Sequence, residues 1–471
     1  MTVQGVEAAA EIDAQAVRRD GVVSARTGLG YGLGMVGERM FRDAPALLLL
    51  VFMTNYLGIP AAWAGVAIFV PKLLLICIDP LVGFYSDIST SRAGRRKPFL
   101  IVGAFLSAAA FILMFNPPSI ASTTLRAVYM TVLIGAAFAV YSIYSVPYLS
   151  LASDLSSDSY QRTRLLAYRM AFLALGLNFS AAAGGLIESF GGGIVGYARM
   201  SYLYGGICLF TMLSPAVMLR DKPGRERPSR EWLALDRPAA AQGPHEGGWL
   251  AAMRVVLGDR PYRRLLLVNF VQKISEGVGY GSFAYFFLYW LDQPMAAIGA
   301  CVLASTAAQI LSQPLWVAAS RRFSRSVCCM ISLGGYLVSN AMWLMVPAHV
   351  FWPVPVVGFF AGSFASGLML MLLAMMSDVA VAQRRSADAC LEGLVSGIWL
   401  AIEKIGFAAG GMLVGLTLGA FGFTASIRGI AALQSHGARL GIAFSYVGLG
   451  TIFYLLTLGL VVWVRRPECK N

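Results

Sequence analysis

The sequence predicts an all-α membrane protein with twelve transmembrane helices in two halves of six. Of its 471 residues, 58% are hydrophobic and 13% are charged, and the mean hydropathy is +0.68. Soluble proteins average roughly 45–50% apolar and about 25% charged residues. Apolar stretches of about 20 residues, the length that crosses a bilayer, recur along the chain, and its longest polar segment divides them into two equal groups. This composition excludes a soluble globular enzyme and a disordered scaffold.

The spans are predicted in chain order from uninterrupted apolar stretches. The first half, residues 28–219, contains spans 28–57, 61–85, 99–115, 125–153, 165–188 and 201–219. The second half, residues 265–464, contains spans 265–291, 296–319, 327–346, 354–377, 394–421 and 440–464. Between the halves, residues 220–264 are rich in Pro, Gly and charge, which predicts a solvated cytoplasmic linker. Residues 1–27 and 465–471 are predicted to be cytoplasmic tails.

The basic residues predict the orientation. The net charge is +13, from 37 Lys and Arg against 24 Asp and Glu. Of the 37, 28 fall in segments on one side of the predicted spans, and Arg126, Arg199, Arg428 and Arg439 fall on the other. Since Lys- and Arg-rich loops stay cytoplasmic, both termini are predicted to lie inside, in the inner (cytoplasmic) membrane of the cell. The positive charge therefore marks sidedness and indicates no nucleic-acid partner.

Short internal matches suggest that the halves arose by duplication. IDPLVGFYSD, around Asp79, pairs with SQPLWVAAS, around Gln313. NFSAAAGG, which ends at Gly185, pairs with KIGFAAGG, which ends at Gly411. Together with six spans on each side of a linker, these matches favour a duplicated bundle.

The predicted spans contain charged residues, which are costly at bilayer depth and normally face the bundle interior or water. Five are basic and five are acidic: Arg39, Arg42, Lys72, Lys273, Lys404, Glu38, Asp43, Asp79, Glu276 and Glu403. Their spacing predicts ion pairs Glu38–Arg42 and Arg39–Asp43 at i,i+4. Lys273 with Glu276 is predicted at i,i+3. These pairs could simply lock the bundle, but adding a proton or cation to one carboxylate would free its basic partner and favour another arrangement, as coupled transport requires.

Aromatic residues accompany these charges. They are Tyr31, Phe41, Tyr56, Tyr141, Tyr144, Tyr148, Tyr280, Tyr285, Tyr289 and Trp399. Most are expected to pack or to face lipid. Those beside the charges, Tyr148 and Tyr280 among them, could stack on a sugar ring or another flat solute.

Three blocks in both halves resemble one family. They are DPLVGFYSDISTSRAGRRKPF (79–99), YSVPYLSLASDLSSDSYQRTRLLAYR (144–169) and MSDVAVAQRRSADACLEGLVSGIWLAIEKIG (376–406). In this order they resemble the glycoside–pentoside–hexuronide:cation symporters of the major facilitator superfamily. The resemblance implies the twelve-helix major facilitator fold, alternating access and ion-coupled uptake of a sugar-like solute.

The resemblance also implies roles for individual residues. Asp79 resembles the family's cation-site carboxylate, with Lys72 and Lys404 as its basic neighbours. Sodium-coupled members carry a second carboxylate where Leu75 stands here, which favours a proton over sodium as the coupling ion. Where sugar-binding members have carboxylates, this chain has Arg39 and Ser145, which argues against the same sugar.

The charged and aromatic residues of the spans, together with the family resemblance, give the remaining candidate residues. The predicted solute-binding residues are Glu38, Arg39, Arg42, Ser145, Tyr148, Lys273, Glu276 and Tyr280. The predicted conformational gate, a charge network at the cytoplasmic ends of the helices, consists of Asp87, Arg92, Arg95, Arg96 and Arg162.

The sequence thus predicts a monomeric secondary transporter whose partners are a small-molecule solute and the lipid bilayer. No cofactor is expected besides the coupling ion, H⁺ or Na⁺. An enzyme is not expected, because no nucleophile–base pair, metal-ligand spacing or phosphate-binding loop is found. Two alternatives stay open: a transporter or exporter of an amphiphilic or anionic solute, and a non-transporting membrane assembly factor.

Overall fold

The computed structural model describes residues 25–89, 96–155, 159–218, 257–386, 392–425 and 434–465. Within these ranges the chain is almost entirely helical and forms no β-strand. Helices suit the bilayer because they satisfy their backbone hydrogen bonds internally. The first half contains α1 (Ala25–Asn55), α2 (Ala61–Ile88), α3 (Lys97–Phe115), α4 (Thr123–Leu155), α5 (Ser159–Ser189) and α6 (Gly193–Met218).

The second half contains six further helices. They are α7 (Arg260–Tyr285, extended by a π turn, Phe286–Trp290), α8 (Ala296–Arg322), α9 (Arg325–Met342, followed by a 3₁₀ turn, Trp343–Met345), α10 (Pro353–Ser386), α11 (Glu392–Ala420) and α12 (His436–Ala443, a π turn Phe444–Leu449 and Gly450–Arg465). Nine helices in the described part of the chain are long and apolar enough to cross a membrane. Of the other three, α1 and α7 contain several of the charged residues singled out above.

The observed helices match the predicted spans, and the all-helical fold is confirmed. The largest differences are at α10, which continues nine residues further than predicted, to Ser386, at α6, which begins eight residues earlier, and at α5, which begins six residues earlier. The extensions of α5 and α10 contain several polar and charged residues, so hydropathy could not reveal them. Most of the predicted linker and both tails lie outside the described residues.

The packing repeats between the halves. In the first half, α1 packs on α5 and α6, α4 packs on α2 and α3, and α3 packs on α6. In the second half, α7 packs on α11 and α12, α10 packs on α8 and α9, and α9 packs on α12. Adding six to each helix number of the first half gives the second, which is the arrangement expected of a duplicated bundle.

The two halves meet along three helix pairs: α2 with α11, α5 with α8 and α1 with α7. Many of these contacts lie at the end of the bundle where α1 ends and α2 begins. We call this region the far end. There Thr54 Oγ1 lies 2.7 Å from Tyr285 Oη, and the Met295 N–H donates to Glu188 Oε1 at 2.6 Å. Gly65 of α2 and Gly415 of α11 let two backbones approach closely, as small residues do in membrane helix interfaces.

Candidate functional site

The charged helices α1, α2, α7 and α11 surround a cleft between the two halves. Its lining consists of Ala46, Leu50, Ile68, Lys72, Gly277, Tyr280, Gly281, Phe407, Ala408 and Gly411. Three of these residues are glycines: a Cβ atom on Gly277 would clash with the Phe407 backbone, so α7 and α11 pack closely there, whereas a Cβ atom on Gly411 would meet no atom within 4 Å. Lys72 is the one charged residue in this described lining, and the other charges lie around it.

One cluster lies on α1. Arg39 Nη1 lies 3.6 Å from Asp43 Oδ2, so the predicted i,i+4 pair forms. Arg42 Nε donates to Asp43 Oδ1 at 2.8 Å. The Asp43 side chain is only 1% exposed, whereas the Arg42 side chain is 45% exposed. Asp43 is therefore held between two guanidinium groups, and much of the Arg42 side chain remains exposed.

The predicted Glu38–Arg42 pair does not form and is a wrong prediction. The Tyr141 hydroxyl donates to Glu38 Oε1 at 2.5 Å, while Arg42 contacts Asp43. The Tyr141 ring stacks on Phe41, with centroids 4.7 Å apart and planes 6° apart. This stacking fixes the hydroxyl beside Glu38. No spacing within α1 could predict this donor, because it belongs to α4.

Lys72 and Asp79 take different partners, although both lie on α2. Seven residues correspond to about 10.5 Å of helix rise, too far for a direct contact. Asp79 accepts a hydrogen bond from Ser142 Oγ at 2.6 Å, and its other oxygen contacts the Lys404 ammonium of α11. This Asp79–Lys404 ion pair connects the two halves. Ser142, which the sequence reasoning missed, belongs to α4.

The Lys72 ammonium lies over two aromatic rings. It is 4.9 Å from the centroid of Phe138, on α4, and 5.6 Å from that of Phe407, on α11. Both distances are within the range of cation–π attraction. Among the described side chains, no carboxylate oxygen lies within 4.0 Å of this ammonium.

A second cluster joins α7 and α11. Lys273 Nζ lies 2.8 Å from Glu276 Oε2, which is the predicted i,i+3 pair, and 3.6 Å from Glu403 Oε1. Gln272 donates to Glu276 at 3.4 Å, and the Trp399 indole N–H donates to Glu403 at 3.1 Å. The Glu276 and Glu403 side chains are 33% and 30% exposed, so both retain accessible acceptor oxygens. Glu403 is predicted from the sequence as a buried acid but is not among the predicted solute-binding residues.

The two candidate tyrosines have different surroundings. Tyr280 lines the cleft, and its ring meets Phe407 edge-on with centroids 5.2 Å apart. Tyr148 is 1% exposed and stacks on Tyr31, and its hydroxyl donates to the Tyr31 carbonyl oxygen at 2.5 Å. Ser145, nearby on α4, is half-buried. In this conformation Tyr148 therefore packs inside the first half and does not line the cleft.

The predicted gate falls mostly beyond what the structure describes. The side chains of Asp87 and Arg162 and the whole of Arg92 and Arg95 lie outside the described residues. Arg96 is described: it precedes α3 and is 7% exposed. The gate remains a prediction.

Two packed six-helix halves with a charged cleft between them define a multi-pass membrane transporter. The sequence profile of the MFS/sugar transport protein family matches residues 30–465, and the chain belongs to this family. Since the family's activity is transport, the protein is a transporter of a small-molecule solute and not an enzyme.

Individual relatives agree with this assignment. The chain is 27% identical to the putative glycoside/cation symporter YagG of Escherichia coli, over 84% of this chain and 83% of that protein. It is 32% identical to the mouse sphingosine-1-phosphate transporter MFSD2B, over 36% of this chain and 35% of that protein. The crystal structure of a bacterial homologue of the human lysosomal transporter Spinster, inward-facing and unoccupied, matches with a TM-score of 0.69 at 14% identity. That match covers 95% of this chain and 99% of the other and confirms the major facilitator fold.

Proposed function

We propose that the protein is a cation-coupled symporter of a sugar-like solute and that Asp79 is its coupling carboxylate. The observation that carries the proposal is the Asp79–Lys404 ion pair, because it joins α2 of one half to α11 of the other. A proton or cation bound at Asp79 would weaken this pair and favour a different arrangement of the halves. The named symporter activity of a relative that aligns over most of the chain supports the same proposal.

A proton is favoured over sodium as the coupling ion. Asp79 and the Ser142 hydroxyl supply oxygen atoms at this position, and Leu75, one turn earlier on α2, supplies none. Protonation needs a single carboxylate, whereas a sodium ion needs several oxygen ligands. Lys404 already provides a positive charge beside Asp79, which would also oppose a bound metal cation.

We infer that both termini are cytoplasmic, because the basic residues gather on that side of the spans. In this orientation the far end faces outward and is closed by contacts such as Thr54–Tyr285 and Glu188–Met295. The half-exposed side chains of Arg42 and Lys404 would then be reached from the cytoplasm. The conformation would be the inward-facing one, after or before release of solute inside the cell.

The test is solute-driven proton movement in proteoliposomes containing a pH-sensitive dye. A panel of neutral glycosides and sugar acids is added outside, and the internal pH is followed for wild type and Asp79→Asn. We expect at least one sugar to acidify the lumen with wild type. We expect Asp79→Asn to lose this acidification while it still exchanges labelled solute across the membrane, since exchange needs no net proton transfer.

Asp292→Asn is the matched control. Asp292 lies between α7 and α8, away from the cleft, and has a φ of 48°, which Asn also tolerates. Its pairing with Arg439, at 3.3 Å, is on the surface and worth little. The proposal is wrong if Asp79→Asn keeps both wild-type acidification and wild-type pH dependence of uptake.

A second candidate function is transport of an amphiphilic solute. The partial relationship to a named sphingosine-1-phosphate transporter favours it, as does a cleft lined mainly by apolar residues. Uptake or release of a fluorescent lysolipid by the proteoliposomes, with no response to sugars, would favour this candidate over the first.

A further inference from the structure

The charges around the cleft are unevenly divided. Leaving aside the Asp79–Lys404 pair, α1 and α2 present three cations against two carboxylates, and α7 and α11 present one cation against two. The cations are Arg39, Arg42, Lys72 and Lys273, and the carboxylates are Glu38, Asp43, Glu276 and Glu403. The cleft is therefore balanced in total but positive on the side of α1 and α2 and negative on the side of α7 and α11.

Within the described residues, the positive side has a cation, Lys72, with no carboxylate partner within 4.0 Å. Asp43 attracts Lys72 electrostatically, but its two oxygens already face Arg39 and Arg42. Arg42 and Lys72 also repel each other. The aromatic rings attract the Lys72 ammonium but leave its charge uncompensated, so an anion placed between Arg42 and Lys72 would relieve the repulsion and satisfy both groups.

Lys72 and Arg42 are both accessible to a ligand, which a purely structural role would not require. Lys72 lines the cleft, and the Arg42 side chain is 45% exposed. On the opposite side, the part-exposed Glu276 can accept hydrogen bonds from hydroxyl groups. Tyr280, also in the lining, has a hydroxyl that can donate or accept.

We propose that Arg42 and Lys72 form an anion subsite and that the transported solute carries an anionic group, which they bind. The inference rests on the proposed function, since it defines the solute that this transporter takes. The anionic group is a carboxylate or a phosphate monoester, on a sugar acid or on a lysolipid. Remaining polar groups of the solute face α7 and α11.

Thermal unfolding of the purified protein in lipid nanodiscs tests the proposal with two matched pairs of probes. One pair is D-glucuronate and D-glucose, and the other is lysophosphatidic acid and monoacylglycerol. Within at least one pair we expect the anionic member to stabilise the wild-type protein and the neutral member to do so much more weakly. Lys72→Gln should raise the apparent Kd for the stabilising anionic probe roughly 10- to 100-fold, the range expected for the loss of hydrogen bonds to a charged group.

Further variants separate binding from folding. Lys72→Arg keeps the charge and should retain most of the affinity, whereas Arg42→Gln should weaken it and serves as the second test where Lys72→Gln does not fold. Arg263→Gln removes an exposed cation at the start of α7 and should leave the affinity unchanged.

Three outcomes overturn the anion subsite: equal binding of the neutral member of a pair, undiminished affinity of Lys72→Gln, or no stabilisation by either anionic probe. The two proposals fail separately. Binding of lysophosphatidic acid alone would keep the subsite and refute sugar transport. Binding of glucose with proton-coupled uptake would keep the proposed function and refute the subsite.

Discussion

Substitution of Gly415 by Leu should push the two halves apart at the far end. A Cβ atom on Gly415 would lie 2.5 Å from the Ala61 carbonyl oxygen and 2.8 Å from the Gly65 Cα. Both neighbours are backbone atoms, so the clash cannot be relieved by turning a side chain. The two helices, α2 and α11, must therefore move apart at this position.

The expected effect follows from the cost of overpacking. Adding methylene groups to a packed site costs about 1–3 kcal/mol, and here the cost falls on the arrangement in which the far end is closed. An energy difference of about 1–3 kcal/mol changes the ratio of two conformations about 5- to 150-fold. Gly415→Leu should therefore shift the population toward a conformation that is open at the far end.

Double electron–electron resonance between spin labels measures this shift directly. Ser119, in the loop between α3 and α4, and Ala348, between α9 and α10, are exposed residues of opposite halves at the far end. Labels there should give a longer distance in Gly415→Leu than in the otherwise identical protein. Gly459→Leu is the control, since a Cβ on Gly459 meets no atom within 4 Å. An unchanged distance distribution in a folded Gly415→Leu variant would refute this account of the interface.

Two further substitutions test single hydrogen bonds. Glu188→Ala removes the acceptor for the Met295 N–H and, with the same labels, should raise the far-end-open population about 10-fold, while Glu188→Gln keeps an acceptor and should have a smaller effect. Tyr141→Phe leaves a buried oxygen of Glu38 without its donor and should lower the free energy of unfolding by about 1–3 kcal/mol in a denaturation titration. Tyr129→Phe, on the same helix, is its control, and equal destabilisation by both tyrosine variants would contradict the importance of the Glu38 contact.

Local features of the site could be predicted from the sequence, because they depend on the spacing within one helix. The pairs Arg39–Asp43 and Lys273–Glu276 follow from i,i+4 and i,i+3 geometry, and both form. The failure of Glu38 to pair with Arg42 shows the limit of this reasoning. Spacing shows which partners are within reach, but the neighbouring helix decides which one is taken.

Contacts between helices could not be predicted, since they depend on which faces meet. Asp79 and Lys404 are 325 residues apart, and only the family resemblance, not the helical spacing, indicates that Lys404 lies near Asp79. The close approach of α2 and α11 can be read from the sequence, because Gly415 and Gly419 lie four residues apart on one face of α11, and a Cβ atom on either would meet α2. That pattern predicts a tight helix interface, although it does not identify the partner helix.

The exposure of the Asp79–Lys404 pair limits what protonation alone can do in the proposed mechanism. The two side chains are 20% and 48% exposed, and ion pairs so accessible to water contribute about 0–1 kcal/mol. Reversing a conformational preference from 1:99 to 99:1 needs about 5.5 kcal/mol. Loss of this pair supplies only a fraction of that energy, so differential binding of the solute in the cleft must supply most of the rest. A transporter built in this way does not change conformation efficiently when only the coupling ion or only the solute is bound, which is the condition for symport.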